Sequence, residues 1–272
     1  MPWTAIAAGS VIAATAGAAA QYQRRRNHYR RLAVTRRSAL AVGPPFELAR
    51  NVDLVTATAA FARDGIGLGE GTLNGPDLAT MKAECLGNRG RAVKSYVPTH
   101  KKGATLSYEA IHRHAPSCLA LYHSPALRQA VSRIVGVSVV PVADHDQSAC
   151  SILYYLDDGD HIEWHFDHNF YNGRHFTVLL GIEDRGAGGG SSAGRLEWKD
   201  AAGAEQDAAL APNGLAVFEG KRVLHRATPI ASGDSRIVFS MTFATAPTLR
   251  WHREVLRRCK DVAFFGLPAH WK

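Results

Sequence analysis

Two rhythms of apolar and polar positions divide this chain. Between residues 52 and 135 the apolar positions recur at helical spacing, whereas between residues 151 and 243 they gather into short runs rich in β-branched and aromatic side chains. The first rhythm predicts helices over Val52–Asp64, Leu78–Leu86 and Pro125–Val135. The last of these is bracketed by Ser124, a residue that can accept from an early helical N–H, and by Gly136, which tolerates the left-handed stop. The second rhythm predicts strands over Ser151–Leu156, Ile162–Phe166, Phe176–Ile182, Arg195–Trp198, Gly214–Phe218 and Arg236–Phe243. Asp157-Asp158-Gly159-Asp160 has turn chemistry and predicts a hairpin between the first two strands, and Gly186–Gly194 predicts a loop. A late helix is expected over Thr248–Lys260. Many short strands punctuated by Gly, Pro and Asp predict a mainly β fold with flanking helices and a closed or double-sheet architecture.

Chemistry concentrates in the β region. His165-Phe166-Asp167 is followed by His225 and then Arg236: two imidazoles, a carboxylate and a guanidinium. Two histidines and one carboxylate bind one side of a metal and leave the other side open, the arrangement that non-haem Fe(II) oxygenases use. Side chains two apart on a strand share a face, so His165 and Asp167 are expected together, with Trp164 and Phe166 turned into the packing opposite. His161, four residues back, lies about 13 Å along a strand at ~3.3 Å per residue and is too far to share the metal. His145, His161, His168 and His175 therefore read as surface or supporting groups.

Taken in order, His165-x-Asp167, Gly188-Gly189-Gly190, Pro212-Asn213-Gly214-Leu215-Ala216-Val217-Phe218, Leu224-His225-Arg226, Gly233 and Arg236 resemble the Fe(II)/2-oxoglutarate-dependent dioxygenases, especially the prolyl-hydroxylase-like branch. The similarity spans roughly Val137 to Ala246. It implies a double-stranded β-helix, or jelly-roll, core of the cupin-like kind. It also implies Fe(II) held by His165, Asp167 and His225, and Arg236 paired with the distal carboxylate of 2-oxoglutarate, a task suited to its planar fork. Tyr154, Thr177 and Ser240, on strands beside the ligands, are candidates for further 2-oxoglutarate contacts. Sheet packing is the plain alternative for the tyrosine and threonine. The implied reaction consumes O2, converts 2-oxoglutarate to succinate and CO2, and hydroxylates an unactivated C–H bond of a small molecule, with ascorbate a candidate reductant. The region also resembles a group of free-amino-acid hydroxylases and halogenases; in the halogenases a small residue replaces the carboxylate so that chloride binds iron, and Asp167 points instead to hydroxylation. A peptide hydroxylase of the same fold and a non-catalytic metal-binding jelly roll are the alternatives.

Asn169 and Arg174 flank the motif and are candidates for substrate contact, although a solvated loop arginine is the plainer reading. Substrate selection is expected from the loops Arg89–Leu106 and Asn169–Arg174. Lys94, Lys101 and Lys102 in the first of these read as exposed lysines that an acidic ligand can also meet.

Charge alters the picture only at the N-terminus. The formal net charge is +8, from 32 basic against 24 acidic residues, but seven arginines and no acid fall within residues 1–46. The remainder is left with 25 basic against 24 acidic residues, which argues against a broad nucleic-acid-binding face. Residues 1–22 read as an Ala-rich membrane anchor or targeting segment, 23–46 as an Arg-rich linker and 47–272 as the catalytic domain. Thr4–Ala20 is uncharged and the arginines follow it, so an anchor would leave the domain on the cytoplasmic side; an organelle transit peptide is the alternative. Cys85, Cys118, Cys150 and Cys259 show no pairing pattern, which suits a reducing compartment.

Overall fold

In a computed structural model, residues 53–142 and 146–266 are described, together with 17, 20–25, 27, 28, 31, 32, 34, 35 and 48. The chain forms two compact units, residues 1–44 with 271–272, and residues 45–270. In the first, the described residues are helical. No helix among the described residues is long and apolar enough to cross a membrane, which leaves the expected anchor without support. Most of the run Thr4–Ala20 lies outside the described residues.

The second unit begins with helix α1 (Leu54–Asp64), strand β1 (Ile66–Gly69) and helix α2 (Gly75–Gly87). Asp53 caps α1 by accepting from Thr56 N at 2.9 Å, and Gly65 ends it at φ 76°. Strands β2 (Val93–Val97) and β3 (Lys101–Leu106) follow, then helices α3 (Tyr108–His114), α4 (Pro116–His123) and α5 (Pro125–Val135). As expected, Ser124 Oγ accepts from Leu127 N at 3.1 Å to start α5, and Gly136 closes it at φ 69°. The rest of the core comprises β4 (Val140–Pro141), β5 (Cys150–Tyr155), β6 (His161–His165), β7 (His175–Arg185), β8 (Leu196–Lys199), β9 (Glu205–Ala208), β10 (Leu215–Phe218), β11 (His225–Ala227) and β12 (Ser235–Ala244). Helix α6 (Trp251–Phe265) comes last, starting and ending later than the sequence rhythm indicates.

Antiparallel pairing runs β1-β10-β7-β12-β5-β3-β6-β11-β8-β9, with β2 on the free edge of β3 and β4 on β12. The path curls so that its two halves face each other: Leu179, Val238 and Tyr155 from one half share a buried cluster with Leu196, Trp198 and Ala227 from the other. Alternation sorts each strand. Phe176, Val178, Leu180 and Ile182 of β7 and Ile237, Phe239, Met241 and Phe243 of β12 join the larger cluster formed with the helices. Their neighbours Leu179 and Val238 turn into the space between the halves. This is the double-sheet architecture with flanking helices that the strand pattern predicts, and the jelly-roll core that the family resemblance implies.

One sequence expectation fails informatively. β5 and β6 do not form a hairpin, because each pairs with a different part of β3: residues 104–106 pair with β5 and residues 101–102 pair with β6. The change of partner occurs at Gly103, whose φ of 150° is rarely open to other residues. Asp157–Asp160 is thus a crossing from one half of the barrel to the other. A single strand stitches the two halves together.

Candidate metal centre

His165 ends β6 and stands opposite His225 of β11, with the two ring centroids 4.2 Å apart. Each ring is fixed from behind. His165 Nδ1 contacts Glu163 O at 2.7 Å and His225 Nδ1 contacts Val223 O at 2.9 Å. A carbonyl only accepts, so both Nδ1 atoms carry the proton and both Nε2 atoms present a lone pair. Such a backing contact is the usual way of orienting a metal-binding imidazole.

Asp167 reaches the same point from just beyond the end of β6. Its N–H donates to Gly220 O at 2.9 Å, and Thr177 Oγ1 on β7 donates to Asp167 Oδ2. The other oxygen, Oδ1, lies 3.6 Å from His165 Nε2 and 3.9 Å from His225 Nε2. Gly220 makes room for this carboxylate, since a Cβ there would sit 2.1 Å from Asp167 Oδ2. Ligand atoms of all three residues lie within 4.8 Å of one another, and among the described residues no other group of three His, Cys, Asp or Glu converges in this way. Shared metal binding was anticipated from strand alternation. The carboxylate is instead aimed by contacts from Thr177 and Gly220.

Electrostatics fit that geometry. Burial would raise the Asp167 carboxyl, but His225 and His165 beside it hold it well below the usual carboxylate range. Burial lowers His225 in spite of the attraction of Asp167. His165 is also penalised by burial, yet its hydrogen bond and charge interaction with Asp167 raise it. An anionic carboxylate between two ring nitrogens is a strong cation site.

Two cavities meet at these ligands. The smaller, about 100 Å³, runs between the barrel halves past His225, Tyr155 and Thr177 to Arg236 on β12. Arg236 is 2% exposed, and its Nε has no hydrogen-bond partner. Its guanidinium lies 5.3 Å from the centre of the Tyr155 ring. Burial pulls the Arg236 pKa down against the pull of Tyr155 and Asp184, and among the described residues no carboxylate lies within ion-pair distance of its guanidinium. A buried guanidinium with an unmet donor calls for an anion.

The larger cavity, about 600 Å³, opens beside His165 and Asp167 and is walled by His100, Lys101, Phe166, Phe170 and His175, with Leu256 and Phe264 of α6. Thr177 and Ser240 border both cavities. Thr177 serves Asp167, and Ser240 lies on the inner face of β12 as anticipated.

Other expected contacts are placed elsewhere. Tyr154 belongs to the helix side of β5, where its hydroxyl donates to Cys85 O at 2.8 Å. The inward position is taken by Tyr155, one residue on, so the expected cofactor contact is corrected by strand parity. Asn169 holds its own loop, donating to Gly173 O and accepting from Tyr171 N. Arg174 pairs with Glu219 at 2.8 Å and lies over Phe176. Neither borders the two cavities. Phe166, expected to pack inward, is 49% exposed at the cavity mouth, and Trp164 lies beneath Arg226 on the outer surface. His161 accompanies Gly159 and Glu163 away from the ligands, while His168 and His175 line the larger cavity. His145 falls outside the described residues. Lys94 does meet solvent, beside Asp157, but Lys101 is buried.

A family model described as Halogenase D matches residues 82–180, less than half of the chain. No curated protein matches the sequence. Among solved structures, the chain is similar to AviO1 from Streptomyces viridochromogenes Tue57, with 18% identity over 74% of this chain and 100% of the other, at a TM-score of 0.58. It is also similar to a Pseudomonas putida prolyl-4-hydroxylase, with 17% identity over 70% of this chain and 97% of the other, at a TM-score of 0.54. A third is the epimerase SnoN from nogalamycin biosynthesis, solved in complex with Fe3+, alpha ketoglutarate and nogalamycin RO; identity is 13% over 70% and 83% of the two chains, with a TM-score of 0.58. At these identities the likeness establishes a shared fold.

Proposed function

We propose that this chain is an Fe(II)- and 2-oxoglutarate-dependent dioxygenase that hydroxylates an unactivated C–H bond of a small molecule. The observation that carries the reading is the pairing of a convergent His165–Asp167–His225 triad with an unpartnered, buried Arg236 along one narrow cavity. That is a place for a cation beside a place for a carboxylate, at the scale of a short keto-acid. The ligand set in the SnoN complex supports the same pairing.

His165, Asp167 and His225 would hold the metal, which together with 2-oxoglutarate supplies the O2-dependent oxidation and releases succinate and CO2. Arg236 would anchor the distal carboxylate by charge-assisted hydrogen bonds, with Tyr155 stacked against its guanidinium. Thr177 keeps one oxygen of Asp167 engaged so that the other stays directed at the metal position. Because Asp167 occupies the carboxylate position, a halide has no place there, and hydroxylation is favoured despite the Halogenase D match. The larger cavity is of ordinary size for a small-molecule site, which favours such a substrate over an extended peptide.

Succinate release by the purified protein decides the matter, measured with Fe(II), 2-oxoglutarate and O2 in the presence and absence of candidate substrates. Succinate that requires both Fe(II) and 2-oxoglutarate is the expected result. Binding of both without turnover across a broad panel would make the chain a binding module, and binding of neither would refute the proposal altogether.

A further inference from the structure

Lys101 is the buried lysine among the described residues, with 3% of its surface exposed. It lies on β3 at the seam where that strand turns from β5 to β6, and it walls the larger cavity together with His165 and Asp167. Its Nζ donates to Thr105 Oγ1 at 2.7 Å and stands 5.1 Å from the centre of the Phe264 ring. An ammonium has three donors, and a hydroxyl and an aromatic face leave it without a directly bound carboxylate. The acids nearby are engaged elsewhere. Burial works against the Lys101 ammonium and the charge of Asp160 favours it, but that carboxylate is turned to Leu156 N and Asp157 N, from which it accepts at 3.0 Å each, and Glu163 lies beside His161. Lys260, another cation of this cavity, already faces Asp146 at 3.8 Å.

A charge kept out of water with no ion pair of its own is costly, and proteins retain such groups where a ligand completes them. Resting on the dioxygenase reading, and going beyond it to substrate class, we infer that Lys101 binds the carboxylate of a small monocarboxylic substrate in the larger cavity. A single negative charge matches the one lysine of this cavity that lacks an ion pair among the described residues, whereas a phosphate dianion would lack its second partner. Hydroxyls of Ser148, Ser151 and Thr242 border the same cavity and can meet the polar atoms of such a ligand. Arg236 lines only the smaller cavity and Lys101 only the larger, so the two cations are assigned to different molecules.

The test uses full-length protein loaded with Fe(II) and 2-oxoglutarate under anaerobic conditions. It is titrated with monocarboxylic acids of about three to eight carbons, with and without an α-amino group, and with the primary amide of each, a size range set by the cavity. Calorimetry and the visible charge-transfer band of the metal–keto-acid complex report binding. An acid should bind at least about tenfold more tightly than its amide, the scale of one charge-assisted contact. Lys101→Met should weaken the acid to the level of its amide, Lys101→Arg should retain part of the preference, and 2-oxoglutarate affinity should stay within about twofold. Equal binding of acid and amide, absence of binding by every acid, or a large loss of 2-oxoglutarate affinity in Lys101→Met would each overturn the inference. Should Lys101→Met fail to fold, the acid–amide comparison on native protein still decides. Failure of native protein to take up Fe(II) and 2-oxoglutarate would instead remove the dioxygenase reading, and this inference with it.

Discussion

His225 is the direct antiparallel partner of His165, and each imidazole is pinned by a backbone carbonyl two residues before it. Their convergence is therefore set by strand register. A slip of one residue in β6 or β11 would send one ring to the opposite face.

Replacing either histidine breaks the one convergent group of three ligands among the described residues. His165→Ala and His225→Ala are expected to lose Fe(II) binding by more than about 100-fold, beyond the range seen for supporting residues, and to release no succinate. Metal content after dialysis and a succinate assay check this together. Retention of stoichiometric metal in both variants would argue against the triad.

The supporting contacts to Asp167 have their own signature. Thr177→Val removes one hydrogen bond at nearly constant volume, and Gly220→Ala drives a methyl group into the carboxylate. Both should fold, and both should weaken metal binding by about 10- to 100-fold. Metal titrations monitored by calorimetry report the loss, and thermal melts confirm that the fold survives.

Arg236→Met separates stability from binding. Losing a buried guanidinium that has an unmet donor and no direct ion pair is expected to leave the metal-free protein as stable as before, or more so. Affinity for 2-oxoglutarate should fall by about 2 kcal/mol or more, roughly 30-fold, with succinate production partly restored at high co-substrate concentration. An unchanged dissociation constant would detach this arginine from the keto-acid.

A pH effect is expected away from the metal. Asp146 is fully buried; burial opposes its ionisation, but Lys260 and Arg257, with a hydrogen bond from Tyr171 at 2.6 Å, lower its pKa to about 2. A carboxyl lowered on folding adds stability above its unfolded value, near 3.8, and that contribution is lost as pH falls toward 2. Acid denaturation of the native protein should contain this component between pH 4 and 2, about the interval separating the two values, whereas Asp146→Asn should lack it and be less stable by about 3 kcal/mol at neutral pH. Melts collected across that range in both proteins check the sign.

Four helices, six of the strands and the three ligands were legible because each rests on local chemistry: a capping side chain, a period of two, or an imidazole–carboxylate spacing; the short helices α3 and α4 were not. What escaped was non-local. Along Ser151–Tyr155 and Arg236–Phe243 both faces are apolar, so alternation separates the faces without saying which one looks inward. That is why Tyr154 was expected where Tyr155 lies. The stretch Val93–Leu106 reads as a polar loop containing Lys101 and Lys102, yet it forms β2 and β3 once β5 and β6 offer their edges. The paired strand then buries Lys101 and brings the preceding His100 to the site, its ring 5.4 Å from that of His165. No single-chain periodicity announces an edge supplied from fifty residues away.

Because β3 pairs with β6 at Lys101, the ammonium is tied to the strand that ends in His165 by main-chain hydrogen bonds. The span from anion anchor to metal is thus a fixed ruler, insensitive to changes in the surface loops. A carboxylic acid held at one end would present a carbon at a set number of bonds from its charged head, and regiochemistry would follow from chain length.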